Sequence, residues 1–571
     1  MSFPKMNFFR YKKTVNHILS IFLLVTTLGI SQTKENLIPR IETQNGRHAL
    51  IVDGEPYLVL GAQSNNSSSW PATLPQVWSA MDQLHINTLE IPIYWEQFEP
   101  QPGVYDYSVM DSIIKQARER DLRVILLWFA TWKNGSNHYM PQWMKLKPDT
   151  YFNMVNKNGE PIDSPSPHAQ ATLEADIKAF SMFMNHLKEV DPQHTVIMVQ
   201  VQNEPGSWGS VRDYSKEANK LFESKVPKEA LKAMEVSSNN GGTWKQVFGE
   251  HAEEYFHVWH VASYIGQVAS AGKAIYSLPL YVNGAIRNPI NPGPPYYQVG
   301  GPNDNVLDLW KAAAPDIDLL APDIYFKDTQ TYLKSLEVYS TKTNPLFVPE
   351  TFWHEDFPKF FYAALGEGAI GYAPFGLDDT RLRIGPDGKP MTAKDMYEPT
   401  ALNFKLFKPM ADVIAKLNYE GHIQTAIQLL PIDHEAEKGG AVDRENYVTD
   451  QTISLKSWDL NIAFGTFDRM SRSPFQPKHP DGRLLVAELD TNEFLLVGYH
   501  CRVMFEPSGK YADKPWWFLS VEEGHYENGT FVMDRILNGD QTDWGLNFDT
   551  PKVLRVKLYT RQLKSRPFLM D

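Results

Sequence analysis

From residue 57 onward, short apolar runs alternate with longer stretches in which apolar residues recur every three or four positions, the pattern of strands each followed by a helix. Eight strands are predicted: "YLVLGA" from Tyr57, "NTLEIPI" from Asn87, "RVILLWFA" from Arg123, "TVIMVQVQ" from Thr195, "LPLYVN" from Leu278, "IDLLAPDIY" from Ile317, "PLFVPE" from Pro345 and "AIGYAPF" from Ala369. Helical periodicity fills the intervals, as in "SVMDSIIKQARERD" from Ser108, "LEADIKAFSMFMNHLKEV" from Leu173 and "EEYFHVWHVASYIGQVASAG" from Glu253, with "ALNFKLFKPMADVIAKL" from Ala401 as the last. Eight alternations in one continuous region predict an α/β fold, a (β/α)8 barrel of the TIM type, rather than an open doubly wound sheet.

The longest interruption follows the fourth strand, at residues 205–250. Loops at the C-terminal ends of barrel strands build the site in such folds, so this insertion is a candidate wall or lid. After about residue 420 the pattern becomes alternating and rich in strand formers, as in "RLLVAELDTNEFLLVGYHCRVMF" and "KVLRVKLYT". A C-terminal antiparallel β-sandwich is expected there, packed closely on the barrel because no low-complexity linker intervenes. The division drawn is 1–31 as a targeting segment, 32–415 as the barrel and 416–571 as the sandwich.

Residues 1–31 stand apart: Lys5, Arg10, Lys12 and Lys13 precede the thirteen-residue apolar run "ILSIFLLVTTLGI", too short for a membrane span of about 20 residues. A signal peptide cleaved near Ser31 is expected, with the mature protein periplasmic or secreted and no other membrane association. The 571-residue chain carries a net charge of −13, and loss of the first 31 residues leaves 51 basic against 68 acidic residues, or −17. No long block of Lys and Arg is present, which argues against nucleic acid as a partner. Cys501 is alone, so an internal disulfide and cysteine-ligated zinc or iron–sulfur sites are excluded, and it is expected to be a buried strand residue. Fifteen Trp, 26 Tyr and 30 Phe suit either large cores or stacking surfaces for sugars.

The chemistry concentrates at two strand ends. "VIMVQVQNEPGSWG" runs an apolar strand directly into Asn203, Glu204 and Pro205, and "PLFVPETFWHED" places Glu350 at the same point of the seventh strand, with Glu355 and Asp356 as rivals. Carboxylates at the C-terminal ends of the fourth and seventh strands face each other across one mouth, and such a pair is the equipment of glycoside hydrolysis. Sequence does not give their separation.

"QVQNEPG" with a later strand-end Glu resembles the clan A glycoside hydrolases, and "IPIYWEQFEPQPGVYDYS" from Ile91 is similar to the second-strand region of glycoside hydrolase family 35 β-galactosidases, of the bacterial branch with a β-rich C-terminal domain. The resemblance spans about residues 50–410. It implies that Glu204 is the acid/base, Glu350 the nucleophile of a retaining mechanism, Asn203 a donor to the sugar 2-hydroxyl and Tyr325 a tyrosine beside the nucleophile. Tyr94, Trp95, Trp132 and Trp353 are expected as subsite walls. The sequence departs from the family after the third strand, where a Glu-Trp pair that contacts galactose is replaced by Thr131 and Trp132, which weakens the implied galactose specificity.

Other motifs lead nowhere. "GEGAIG" from Gly366 follows a helix and precedes a strand, the reverse of a dinucleotide site. Glu254, His257 and His260 share one helical face but form a single Glu-x-x-His, and are expected as an ordinary helix face. Neither HExxH nor GxSxG occurs. The expectation is therefore an exported, cofactor-free and metal-free retaining exo-β-glycosidase, a β-galactosidase releasing terminal β-galactose from plant or algal oligo- or polysaccharides such as galactosylated xyloglucan. The alternatives are another clan A specificity (a β-glucosidase or endo-β-glycanase) and a non-catalytic carbohydrate-binding protein.

Overall fold

A computed structural model describes residues 37–561, apart from 237–240, 293–296, 354, 379–387, 390, 392, 431–448, 468–474 and 476–479. The expected targeting segment lies outside the described residues. Among the described residues no helix is long and apolar enough to cross a membrane.

All eight predicted strands form, and they are parallel neighbours in sequence order: Val59–Gln63, Thr88–Tyr94, Arg123–Lys133, Val196–Asn203, Leu280–Ala285, Leu319–Ile324, Phe347–Val348 with Glu350–Thr351, and Gly371–Tyr372. The seventh strand is in two pieces because Pro349 between them has no N–H to give to a ladder. Its first piece pairs with the eighth strand (Phe347 opposite Gly371) and its second with the sixth (Glu350 opposite Asp323). The eighth strand in turn pairs with the first, Gly371 opposite Val59, so the barrel closes.

Val59, Ile125, Leu127, Met198, Leu319 and Phe347 fill the barrel interior. Leu50 and Val52 join this cluster from a three-stranded antiparallel sheet, Arg40–Gln44, Arg47–Val52 and Glu55–Tyr57, which the apolar pattern did not predict. Packing of these two residues among the barrel's inner side chains makes the sheet a plug.

Two expectations about helices are corrected. The stretch from Ala401 is not one helix, since a 3-10 turn at Lys408–Met410, with Pro409 at its centre, separates Ala393–Phe407 from Ala411–Glu420. The second of these also carries the barrel past residue 415, ending at Gly421 in the left-handed conformation (φ 80°). Apolar periodicity stops at Leu417 and is blind to the last polar turn.

Beyond Gly421 lie a six-stranded and a four-stranded antiparallel sheet. Along the six-stranded sheet, Leu484, Leu496 and Leu554 point to the inter-sheet core, which includes the buried Cys501. Their neighbours Leu485, Leu495, Val497 and Val553 point the other way and join the core of the barrel. Period-two alternation therefore buries both faces of this sheet. Polar clamps fix the junction: the buried Arg483 donates to Asn403 Oδ1 (3.1 Å), and Asn403 donates to the Pro358 carbonyl (2.7 Å). Trp516 packs edge-on against Trp458, while Trp517 is exposed and stacks on Tyr559.

Candidate active site

The fourth strand is buried along its whole length and ends in an unusual backbone, with Gln202 (φ 66°) and Glu204 (φ 43°) both left-handed. Such conformations cost on the order of 1–3 kcal/mol each and persist only where neighbours enforce them. Gln202 is tied on both sides, accepting from the Trp132 backbone N–H (3.0 Å) and donating to Asp176 Oδ2 (2.7 Å). Glu204 donates its N–H to Asn283 Oδ1 (3.0 Å), and its carbonyl accepts from the Gly135 N–H (2.9 Å) and from the Gln298 amide.

Glu204, Asp323 and Glu350 each bring a carboxylate oxygen within 4.8 Å of the others. All three are buried. Four donors converge on Glu350: Gln63 (2.9 Å), Asn203 (3.1 Å) and Asn283 (3.4 Å) reach Oε1, and the Tyr325 hydroxyl reaches Oε2 (2.8 Å). Oε2, with one partner among the described residues, keeps lone-pair capacity. Burial, reinforced by the charge of Glu350 and opposed by Lys133, pushes Glu204 up to about 7. Burial and the two glutamates hold Asp323 well above the usual carboxylate range. Burial, with the carboxylates of Glu350 and Asp323 beside it, likewise raises the Tyr325 hydroxyl and keeps its proton in place.

Three clustered carboxyls are also the donor set of a hard cation. Glu350 Oε1, however, already takes three N–H donors, surroundings that suit an anion and leave only Oε2 open. The trio is better read as groups sharing protons.

Beside Glu204 a cavity of about 390 Å³ is lined by Trp208, Asp323, Tyr325, Tyr297 and Phe326 among others. Trp208 is 51% exposed and comes from the insertion after the fourth strand, which therefore supplies a wall. The loop passes very close to residues 299–301: a Cβ on Gly206 (φ 124°) would stand 2.4 Å from the Val299 carbonyl oxygen. Only glycine fits. His257 supports the same loop, its Nε2 lying 3.1 Å from Ser207 Oγ, and burial depresses its pKa to about 3. Glu254 instead accepts from the Tyr297 hydroxyl (2.8 Å), and His260 packs on Phe256, so the Glu-x-x-His face serves packing and loop support.

The structure thus brings together Glu204, Glu350, Asn203 and Tyr325. Glu355 and Asp356 are not in the carboxyl cluster. The aromatic walls are a correction: Trp95 and Trp132 are fully buried, Trp95 with its indole N–H on Glu99 (2.9 Å) and Trp132 edge-on to Tyr264. Both extend the outward-facing side of their strands into the helix layer, the side that a residue count from the strand end does not reveal. Tyr94 is buried under Trp70 and Tyr139, with its hydroxyl taken by the Ser69 N–H (3.1 Å), and Trp353 belongs to the core, so neither forms a sugar wall.

Sequence reasoning missed Gln63, Glu90, Lys133, Asn283, Asp323 and Trp208. Glu90 lies opposite Gln63 in the second strand, fully buried, and burial with the nearby Glu350 keeps it well above the carboxylate range. Five of the six carried a readable signal, a polar residue within or ending an apolar strand run, which is costly unless it serves a site.

Comparison with known proteins finds partial matches. Residues 65–258 match the glycoside hydrolase 42 family model, described as beta-galactosidase, and residues 400–549 match a domain of unknown function, DUF5597. The first range contains Glu204 and stops short of Glu350. Beta-galactosidase 14 of Arabidopsis thaliana is 23% identical over 34% of this chain and 21% of its own length. A beta-galactosidase of Xanthomonas manihotis is 26% identical over 30% of this chain and 28% of its own. The match thus spans between about a fifth and somewhat over a quarter of the length of these relatives. Among solved structures, a beta-galactosidase from Bacillus circulans sp. alkalophilus aligns with a TM-score of 0.45 and 15% identity, over 62% of this chain and 57% of that one. The resemblance to family 35 is supported only at a coarser level: the model that residues 65–258 match is that of family 42, also described as beta-galactosidase.

Proposed function

We propose that this protein hydrolyses β-glycosides with retention of configuration, Glu204 acting as acid/base and Glu350 as nucleophile. The observation that carries this reading is the proximity of the pair, one carboxylate oxygen of each lying within 4.8 Å of one of the other. Retaining enzymes hold their carboxyls about 5 Å apart, whereas inverting enzymes leave roughly 6.5–9.5 Å for a water. In the first step Glu350 Oε2 bonds to the anomeric carbon while the bond from that carbon to the leaving oxygen breaks, and Glu204 gives its proton to that oxygen. In the second, Glu204 takes a proton from water, whose oxygen displaces Glu350 from the same carbon. Esterification removes the charge of Glu350, one of the causes that raise Glu204, and so turns the acid into a base between steps.

The sugar we propose is terminal β-galactose, supported by the matching family model and the relatives' names. Export, supported by the basic start and apolar run of residues 1–31, belongs to the same proposal. The test is proton NMR of the anomeric signal as 4-nitrophenyl β-galactoside is consumed. First-formed β-galactose is expected. First-formed α-galactose would mean inversion and exclude the double displacement, and consumption of the glucoside or mannoside alone would move the sugar but keep the pair. Turnover that survives Glu350→Gln would remove the nucleophile assignment.

A further inference from the structure

Lys133 ends the third strand opposite Asn203 in the sheet register and is only 3% exposed. Its ammonium donates to Asn203 Oδ1 (2.7 Å) and to Asn134 Oδ1 (2.5 Å), and lies 5.0 Å from the centre of the Phe129 ring. No salt bridge joins it to a carboxylate among the described residues, so a buried charge stands among neutral partners at the edge of the carboxyl cluster. Burying an ammonium in this way is costly without compensation.

We infer that Lys133 is a positioning residue of the reaction, the ammonium that fixes the Asn203 amide against Glu350 and provides the counter-charge of the three-carboxyl cluster. The inference rests on the roles proposed for Glu204 and Glu350. An ammonium can only donate, so the Asn203 oxygen must face Lys133 and its NH2 must face Glu350 Oε1, where it lies at 3.1 Å. The orientation of the amide that meets the nucleophile is thereby set from the adjacent strand. The turn after Lys133 also holds the backbone of the acid, since the Asn134 and Gly135 N–H groups donate to the carbonyls of Asn203 (3.3 Å) and Glu204 (2.9 Å).

The charge balance of the mouth agrees. The titratable groups facing Glu204 are Glu350 from the seventh strand, Asp323 from the sixth with Tyr325 just beyond it, and Lys133 from the third. Glu350 raises it, while Lys133 and a hydrogen bond with Asp323 lower it. Lys133 opposes the rise of Asp323 as well. One ammonium thus serves a cluster that would otherwise hold only acids.

The test compares wild type with Lys133→Met and Lys133→Arg in the full chain, by 13C NMR titration of the Glu204 carboxyl, assigned by its loss in Glu204→Gln. Removal of an opposite charge moves a carboxyl upward, so in Lys133→Met the Glu204 midpoint is expected to rise by about one pH unit. Lys133→Arg is expected to keep the wild-type midpoint. A Lys133→Met midpoint that is unmoved or lower, in protein whose melting temperature shows it folded, overturns the counter-charge role. If Lys133→Met does not fold, a Lys133→Gln midpoint that is unmoved overturns it equally. With 4-nitrophenyl β-galactoside, kcat is expected to fall roughly tenfold to a hundredfold while KM changes little, because the amide is misplaced chiefly for the reacting state. An unchanged kcat overturns the orienting role. Failure of the proposed function would show instead in wild type, as inversion or as turnover surviving Glu350→Gln.

Discussion

Asp323 and Glu350 are register partners in adjacent parallel strands, so two carboxyls occupy one rung of the barrel and open into the same mouth. Glu204 brings a third from the fourth strand. Buried acids so arranged oppose one another's ionisation: Asp323 is held well above the usual carboxylate range and Glu204 is pushed up to about 7.

This arrangement carries a stability cost with a defined sign. Glu204 is raised in the folded state from 4.5 to about 7, so its contribution is fully present below pH 4.5 and is lost as pH rises through 7. The full shift corresponds to on the order of 3 kcal/mol. Glu204→Gln is therefore expected to leave Tm unchanged near pH 4 and to raise it by several degrees at pH 8. Melting curves at the two pH values check this, and a variant less stable than wild type at pH 8 contradicts it.

The same titration limits activity. If Glu204 is the acid, kcat/KM falls above about pH 7 as its proton is lost. A pH–rate profile flat to pH 9 would show that another group supplies the proton.

Asp176 anchors the strained strand end from behind. It accepts from Trp128 Nε1 (3.0 Å), Thr131 Oγ1 (2.7 Å) and Gln202 Nε2 (2.7 Å). An amide in its place would turn one acceptor into a donor facing donors. Asp176→Asn is expected to cost about 3 kcal/mol by denaturant unfolding, and to lower kcat by loosening Gln202 two residues before the acid.

At Gly206 a methyl group would strike the Val299 carbonyl and the backbone would leave its preferred conformation. Gly206→Ala is expected to displace the Trp208 wall and raise KM for oligosaccharides more than for 4-nitrophenyl β-galactoside. Steady-state kinetics on both substrates check this.

Trp132 and Trp208 separate packing from binding. Trp132→Ala empties a core position and is expected to lower stability by about 3–5 kcal/mol with little change in KM. Trp208→Ala, at an exposed side chain beside the acid, is expected to do the reverse.

The eight strands were legible because each parallel strand is buried on both faces and reads as an apolar run. Glu204 and Glu350 were legible because they end such runs. The supporting shell was harder: Gln63, Asn283 and Asp323 are single polar letters whose meaning depends on which strands are neighbours. Trp95 and Trp132 were misread for a related reason. A strand-end aromatic points either into the mouth or out to the helices, and a bulge in the ladder between Trp128 and Lys133 hides which. The plug sheet at residues 40–57 was missed because its strands are short and its two outer ones are half-exposed.

The break at Pro349 gives the seventh strand two different partners, one on each side of the proline, and Glu350 is the first residue after it. The hydrogen bonds on one side of that seam are thus also the ones that set the proposed nucleophile in its place. A chain caught with that seam unzipped could keep most of its helices and strands and still have no reactive centre. Catalytic activity should accordingly report ring closure more sharply than any spectroscopic measure of secondary structure.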